Sequence, residues 1–192
     1  MKRKPIVAIV GRPNVGKSTF VNRLAGSRNS IVDDQPGVTR DRIYFDVEWQ
    51  NRKFTVIDTG GIIPDEETDI MVSIFDQAKI ACEEADKIVF IVDGKSGINP
   101  VDYDIANILR QSGKPILLAV NKLDNPNSLL MVSDFYALAL GEPVAISALH
   151  GNAGVGDLLD LITEDFEVDL EDEEEDTRIR IAIAGRPNAG KS

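Results

Sequence analysis

Ile6-Val7-Ala8-Ile9-Val10-Gly11-Arg12-Pro13-Asn14-Val15-Gly16-Lys17-Ser18-Thr19 decides how this chain folds. Five apolar residues run into an octapeptide of the form G-x-x-x-x-G-K-[ST], Gly11 to Ser18. The apolar residues Phe20 and Leu24 follow, four apart. That order predicts a strand, a tight loop and a helix. The glycines let the backbone curl so that successive N–H groups face one concavity. The helix N-terminus behind it adds partial positive charge. Phosphate fits such a concavity: Lys17 would reach the outer phosphates, and the Ser18 hydroxyl would ligate Mg²⁺. Thr19 completes the candidate nucleotide-binding set in this loop.

A chance glycine turn before a helix is the competing reading, and repetition weakens it. The pattern recurs as Gly185-Arg186-Pro187-Asn188-Ala189-Gly190-Lys191-Ser192, again after an apolar run, Ile179 to Ala184. Only the first copy has a domain's length of sequence behind it. The expected organisation is a complete nucleotide-binding domain over residues 1–163, an acidic linker over 164–177, and the truncated start of a second domain over 178–192.

Charge supports the linker. The net charge is −11, yet Glu164 to Asp176 alone holds ten acids and no Lys or Arg. Such a run repels itself and stays extended and solvated. Screening of a nearby RNA-binding face is the sharper alternative. Hydrophobic residues make up 43% of the chain, enough for a real core. No apolar run approaches the length that spans a bilayer, so no membrane partner is expected. Lys2, Arg3 and Lys4 precede no signal-like apolar region. The single cysteine, Cys82, excludes an internal disulfide framework and fits a reducing cytoplasm. It falls on an apolar helix face, where a buried, inert thiol is expected. Tyr44, Phe45 and Trp49 alternate with polar residues and have no interleaved basic ones. They read as strand packing rather than as a nucleic-acid platform, and no DNA partner is expected. His150 reads as a surface residue without a role.

Strands are expected at Ile6–Val10, Tyr44–Trp49, Lys53–Ile57, Lys87–Val92, Pro115–Val120 and Val144–Ile146. The second and third would pair as a hairpin through a polar turn at Gln50, Asn51 and Arg52. Helical stripes separate the others: Ile74, Phe75, Ala78, Cys82 and Ala85; Val101, Ile105, Ile108 and Leu109; Val155, Leu158, Leu159 and Ile162. The alternation predicts an α/β fold, a three-layer P-loop NTPase with a six-stranded, mostly parallel sheet and helices on both faces. Ligands in such folds bind beyond the carboxyl ends of the strands.

Three further motifs fall at those ends. Asp58-Thr59-Gly60-Gly61 follows the third strand. Asp58 could hold a Mg²⁺-bound water, and the Gly61 N–H could meet a γ-phosphate. Asn121-Lys122-Leu123-Asp124 follows the fifth. The Asp124 carboxylate only accepts, and guanine offers two matching donors, N1–H and the 2-amino group. Adenine presents an acceptor at N1 and lacks that amino group, so the same carboxylate would reject it. The Lys122 stem could lie over the base and Asn121 could brace the phosphate loop. Ser147-Ala148-Leu149 follows the sixth strand, where a backbone N–H could serve the guanine O6. A P-loop kinase or ATPase is a third reading, which Asn121 to Asp124 argues against.

Together these motifs resemble the translation-factor-like class of P-loop GTPases. The doubled loop and the acidic linker are similar to the Der (EngA) family of bacterial GTPases with two tandem G domains. The resemblance implies a Ras-like G domain, GTP hydrolysis with Mg²⁺, and action with the large ribosomal subunit or its rRNA. It also implies that Thr39, in Pro36-Gly37-Val38-Thr39-Arg40-Asp41, is the switch I threonine on Mg²⁺. The expected catalytic residues are Lys17, Thr39 and Gly61.

Many GTPases carry a glutamine after D-x-x-G to orient water. Here Ile62 stands there and cannot do so. Slow turnover, or structural GTP with negligible hydrolysis, follows unless something replaces it. By similarity Asn14 is that replacement: its side-chain carbonyl would ligate K⁺ beside the phosphates and place positive charge there. A plain hydrogen bond within the loop is the alternative role for Asn14. Arg40 acting in cis is a further source of charge.

Overall fold

The computed structural model describes residues 3–26, 43–59, 70–124, 126–150 and 154–168. Six strands form one sheet: β1 (Ile6–Val10), β2 (Ile43–Trp49), β3 (Arg52–Asp58), β4 (Lys87–Asp93), β5 (Ile116–Asn121) and β6 (Val144–Ala145). Their spatial order is β2-β3-β1-β4-β5-β6. Among the described residues, only the β2–β3 pair is antiparallel. The helices are α1 (Lys17–Ala25), α2 (Ile70–Glu84), α3 (Pro100–Gln111) and α4 (Val155–Thr163), with a 3₁₀ segment over Pro126–Leu138.

The central strands are apolar on both faces, so the sheet must be covered on both. All seven residues of β4 are buried. Val7, Ile9, Val89 and Ile91 pack against Phe20 and Leu24 of α1 and Leu158 and Ile162 of α4. Ala8, Val10, Ile88 and Phe90 pack against Ala78 of α2, Ile105 and Leu109 of α3, and Phe135 and Leu138 of the 3₁₀ segment. Alternate residues along β1, β4 and β5 therefore feed two separate cores.

Three details differ from the sequence expectation. Arg52 belongs to β3, paired with Trp49, and the hairpin turn is Gln50-Asn51 alone. Both turn residues have positive φ (48° and 59°), the backbone that matches the twist of a two-residue hairpin. Cys82 is only half-buried, at the margin of the α2–α3 core; burial still pushes its thiol pKa up. The 3₁₀ segment had no sequence expectation, because its pattern matches neither a clean helical nor a clean strand period. Among the described residues, no helix is long and apolar enough to cross a membrane.

Candidate nucleotide site

The order of strand succession switches sides at β1, which lies parallel to β3 on one side and to β4 on the other. Such a switch opens a crevice at the carboxyl ends of the strands. The phosphate loop leaves β1 there and enters α1 at Gly16, whose φ is 100°. Gly11 (φ 154°) and Gly16 are needed for closeness as well as backbone freedom. A Cβ on Gly11 would lie 2.3 Å from the Ile91 carbonyl oxygen, and one on Gly16 would lie 2.3 Å from the Asn121 amide nitrogen. Asn14 also has positive φ, at 65°.

Asn121 ties three segments together. Its side-chain amide donates to the Val15 carbonyl at 2.8 Å, and its side-chain oxygen accepts from the Ala148 N–H at 2.9 Å. It is 2% exposed, so both bonds are shielded from water. Arg23 of α1 fastens the same loop by donating to the carbonyls of Ala148 (2.7 Å) and Leu149 (2.5 Å).

Lys17 is buried at the first turn of α1. Its ammonium donates to the carbonyls of Gly11 (2.7 Å) and Arg12 (3.0 Å), inside the curl of the loop. Burial lowers its pKa, and the charge of Asp58 opposes that shift. Asp58, at the end of β3, is itself 5% exposed. The Thr59 hydroxyl donates to the Ile9 carbonyl at 2.7 Å and pins the start of the D-x-x-G motif to β1. Ser18 and Thr19 are exposed on the first turn of α1.

On the base side, Asp124 takes contacts on both carboxylate oxygens. Lys95 Nζ donates to one at 2.6 Å. Ser147 Oγ donates to the other at 2.7 Å, and His150 Nδ1 lies 3.2 Å from it. These bonds, Lys95 first and Ser147 next, hold the Asp124 carboxyl down to about 2. Lys122 (φ 69°) donates to the Asn14 carbonyl at 2.6 Å and to Asp93 at 2.7 Å. Leu123 is buried beneath, in the α2–α3 core. Its N–H donates to the Ile146 carbonyl, which holds the β5 and β6 loops together.

Thus Gly11 to Thr19, Asp58, Thr59, Asn121 to Asp124 and Ser147 to Leu149 lie around one crevice. Thr39, Gly60, Gly61, Ile62 and the second loop, Gly185 to Ser192, lie outside the described residues, as does most of the acidic run. Asp93, Lys95 and Arg23 at the crevice were not singled out from sequence, and His150, read there as a surface residue without a role, lies beside Asp124. Arg12 adds a brace, with Nε 3.2 Å from the fully buried Asp102 and a 2.6 Å bond to Ser96. Burial pushes the Asp102 carboxyl up, against its backbone bond from Asn99 and the charge of Arg12. Asp93, Lys95 and Arg23 belong to no recognisable local pattern. A separate cleft at the amino end of the parallel strands is lined by Arg3, Lys4, Tyr44, Asp46, Asp86 and Lys114. Its charges pair internally, Arg3 with Asp86 at 2.6 Å and Lys4 with Asp46 at 2.5 Å.

The profile of the family described as 50S ribosome-binding GTPase matches residues 6–122. The chain belongs to that GTPase family. The matched span runs from β1 through Lys122, so it takes in the phosphate loop and the sheet that positions the crevice. The chain is 57% identical over 189 residues to the GTPase Der of Clostridium tetani, covering 98% of this chain and 43% of that protein. It is 56% identical over 194 residues to the GTPase Der of Ruminiclostridium cellulolyticum, with the same shares covered. The chain thus spans less than half the length of these curated relatives. Among solved structures, Aquifex aeolicus Era bound to GDP·AlF4⁻ is 34% identical with a TM-score of 0.67, covering 86% of this chain and 58% of that one. Era in complex with MgGDPNP and a segment of 16S ribosomal RNA gives the same identity and TM-score, over 87% and 58%. The fold is therefore the Ras-like G domain of this GTPase family.

Proposed function

We propose that residues 1–163 bind guanine nucleotides and hydrolyse GTP to GDP and phosphate, cycling between two states that a partner reads. One observation carries this reading: Asn121 joins the phosphate loop to the 147–149 loop, and Asp124 is bonded to Ser147 of that loop. A carboxylate held on a loop that is itself tied to a phosphate cradle suits a nucleotide whose base offers paired donors. Asp124→Asn tests it. The variant loses guanine preference and gains affinity for xanthine nucleotides, which present an acceptor where guanine has its amino group. Unchanged base preference in that variant overturns the assignment.

The donors near the phosphate cradle suit Mg²⁺. The Ser18 hydroxyl and the Asp58 carboxylate are hard oxygen donors, few in number, as expected for an ion that also takes phosphate oxygens and keeps water. Asp58 would act through a water. When bound, the ion would neutralise charge on the phosphates. Lys17 binds the outer phosphates, exchanging the Gly11 and Arg12 carbonyls for phosphate oxygens. The loop N–H groups orient the chain of phosphates. Thr39 and the Gly61 N–H would close on the γ-phosphate and report its presence.

Ile62 cannot orient water, so the charge that stabilises the transition state must come from elsewhere. Asn14 carries that role in our reading, by holding K⁺ against the phosphates. Asn14 is exposed on the loop, which leaves its side chain open to an ion. GTPase rates in KCl should exceed those in equal NaCl by an order of magnitude or so, and Asn14→Ala should abolish the difference. Equal rates in the two salts overturn the K⁺ site. A failure of single-turnover hydrolysis with both ions present would favour structural GTP.

The family description and the likeness to Der support a ribosomal partner, the large subunit or its rRNA. The same likeness supports reading 164–177 as a linker and 178–192 as the opening of a second G domain. Pull-down of large subunits with GTP analogue but not GDP is the expected outcome for the full-length protein.

A further inference from the structure

Asp93 ends β4, and no motif predicts a carboxylate there. It is 7% exposed, and each of its oxygens has a separate task. Oδ2 accepts from Lys122 Nζ at 2.7 Å. Oδ1 accepts from the backbone N–H groups of Lys95 (2.9 Å) and Ser96 (3.2 Å), which closes the turn after β4. That turn carries the Lys95 ammonium to Asp124, at 2.6 Å. One buried carboxylate therefore touches Lys122 directly and reaches Asp124 through Lys95. Burial alone would raise its pKa; the bond from Lys122 and the two backbone bonds outweigh that and keep it low.

We propose that Asp93 is a positioning residue of the base site, setting the Lys122 side chain against the base plane and the Lys95 turn against Asp124. This rests on the guanine-site reading above. The physical reason is that a lysine stem is flexible and loses rotamer freedom when held over a base. Two anchors on one ammonium, the Asn14 carbonyl and the Asp93 carboxylate, fix that stem before nucleotide arrives. Pre-organisation of this kind raises affinity by lowering the ordering cost of binding. The Asn14 carbonyl belongs to the phosphate loop, so the same lysine links the base side to the phosphate side. Loss of Asp93 leaves Lys122 with the loop contact alone.

The test is a double-mutant cycle on GDP affinity with Asp93→Asn, Lys122→Met and the pair. Asparagine keeps an oxygen for the backbone turn while removing the charge that holds Lys122. NMR titration remains readable at weak affinity, and melting temperature monitors folding. Asp93→Asn should weaken GDP binding on the order of tenfold with Lys122 present and hardly at all in Lys122→Met, since coupled sites are non-additive. The same fold-loss in both backgrounds, or none with Lys122 present, overturns the proposal. If Asp93→Asn does not fold, Asp93→Ser, which also offers an oxygen to the turn, takes its place in the cycle. A wild-type chain that binds ADP as well as GDP defeats the base-site reading itself. An additive cycle in a guanine-selective protein defeats only the role of Asp93.

Discussion

At Gly16 two constraints coincide. The positive φ disfavours any side chain, and the Asn121 amide occupies the space a Cβ would take. Gly16→Ala should therefore displace Asn121 from Val15 and remove measurable nucleotide binding, read by fluorescence of a labelled GDP. Retained binding would mean that the loop relaxes around the methyl group. Asp124 allows a sharper statement. Its folded-state pKa, about 2, lies below its ordinary 3.8. The pairing with Lys95 and Ser147 thus stabilises the fold above the ordinary value. That contribution fades as pH falls from 3.8 through about 2. Base recognition by Asp124 should be flat across neutral pH. A carboxyl titration followed by ¹³C NMR should place the midpoint well under 3.8; a midpoint at the ordinary value would show that the bonds do not persist in solution.

Element ends in this chain are held by specific side chains, and one of them bears on the site. Helix α3 opens with a reciprocal box: Asn99 accepts from the Val101 N–H and Asp102 accepts from the Asn99 N–H. Asn99→Ala should cost about 1 kcal/mol, read from denaturant midpoints. Because Asp102 also holds Arg12, the loss should loosen the phosphate loop and speed nucleotide release. Helix α4 ends on the nearly buried Lys87 of β4. Its ammonium donates to the carbonyls of Leu161 (3.1 Å) and Ile162 (3.0 Å) and to Asp165 (2.6 Å), with the Phe166 ring 5.3 Å away. Lys87→Met would leave two shielded carbonyls without that donor, costing about 1–3 kcal/mol. Amide exchange at the end of α4 should rise more than exchange elsewhere. Uniform exchange changes would contradict a local clamp.

The molecule as a whole is one sheet between two cores, and β4 belongs to both. Phe90 is fully buried on one face of β4, three residues before Asp93. Phe90→Ala should lower stability by about 3–5 kcal/mol through the cavity it leaves, and thermal melts in the absence of nucleotide measure this. Binding acts on the same balance. GDP at a hundred times its dissociation constant should add about 2.7 kcal/mol to the unfolding free energy, and ADP at that concentration should add far less. Equal stabilisation by the two nucleotides would contradict base selection.

Sequence by itself determined the strands, the order of motifs and their place at strand ends. These depend on local matters: runs of apolar residues, their period, and the glycines and charged residues punctuating them. Ile6 to Thr19 could be read directly because a phosphate cradle is built from consecutive backbone groups. Asn121 to Asp124 was legible because the carboxylate's match to guanine is a property of residue type. The hairpin turn was mislocated by one residue because Arg52 is polar yet lies in a strand, and polarity alone does not separate turn from edge. Tertiary structure alone decided which distant side chains complete the crevice. Asp93 and Lys95 come from the end of β4, Arg23 from α1 and Asp102 from α3, each far in sequence from its partner. No local pattern specifies such pairings. They exist because sheet order sets β4 between β1 and β5, so the end of one strand meets loops from both neighbours.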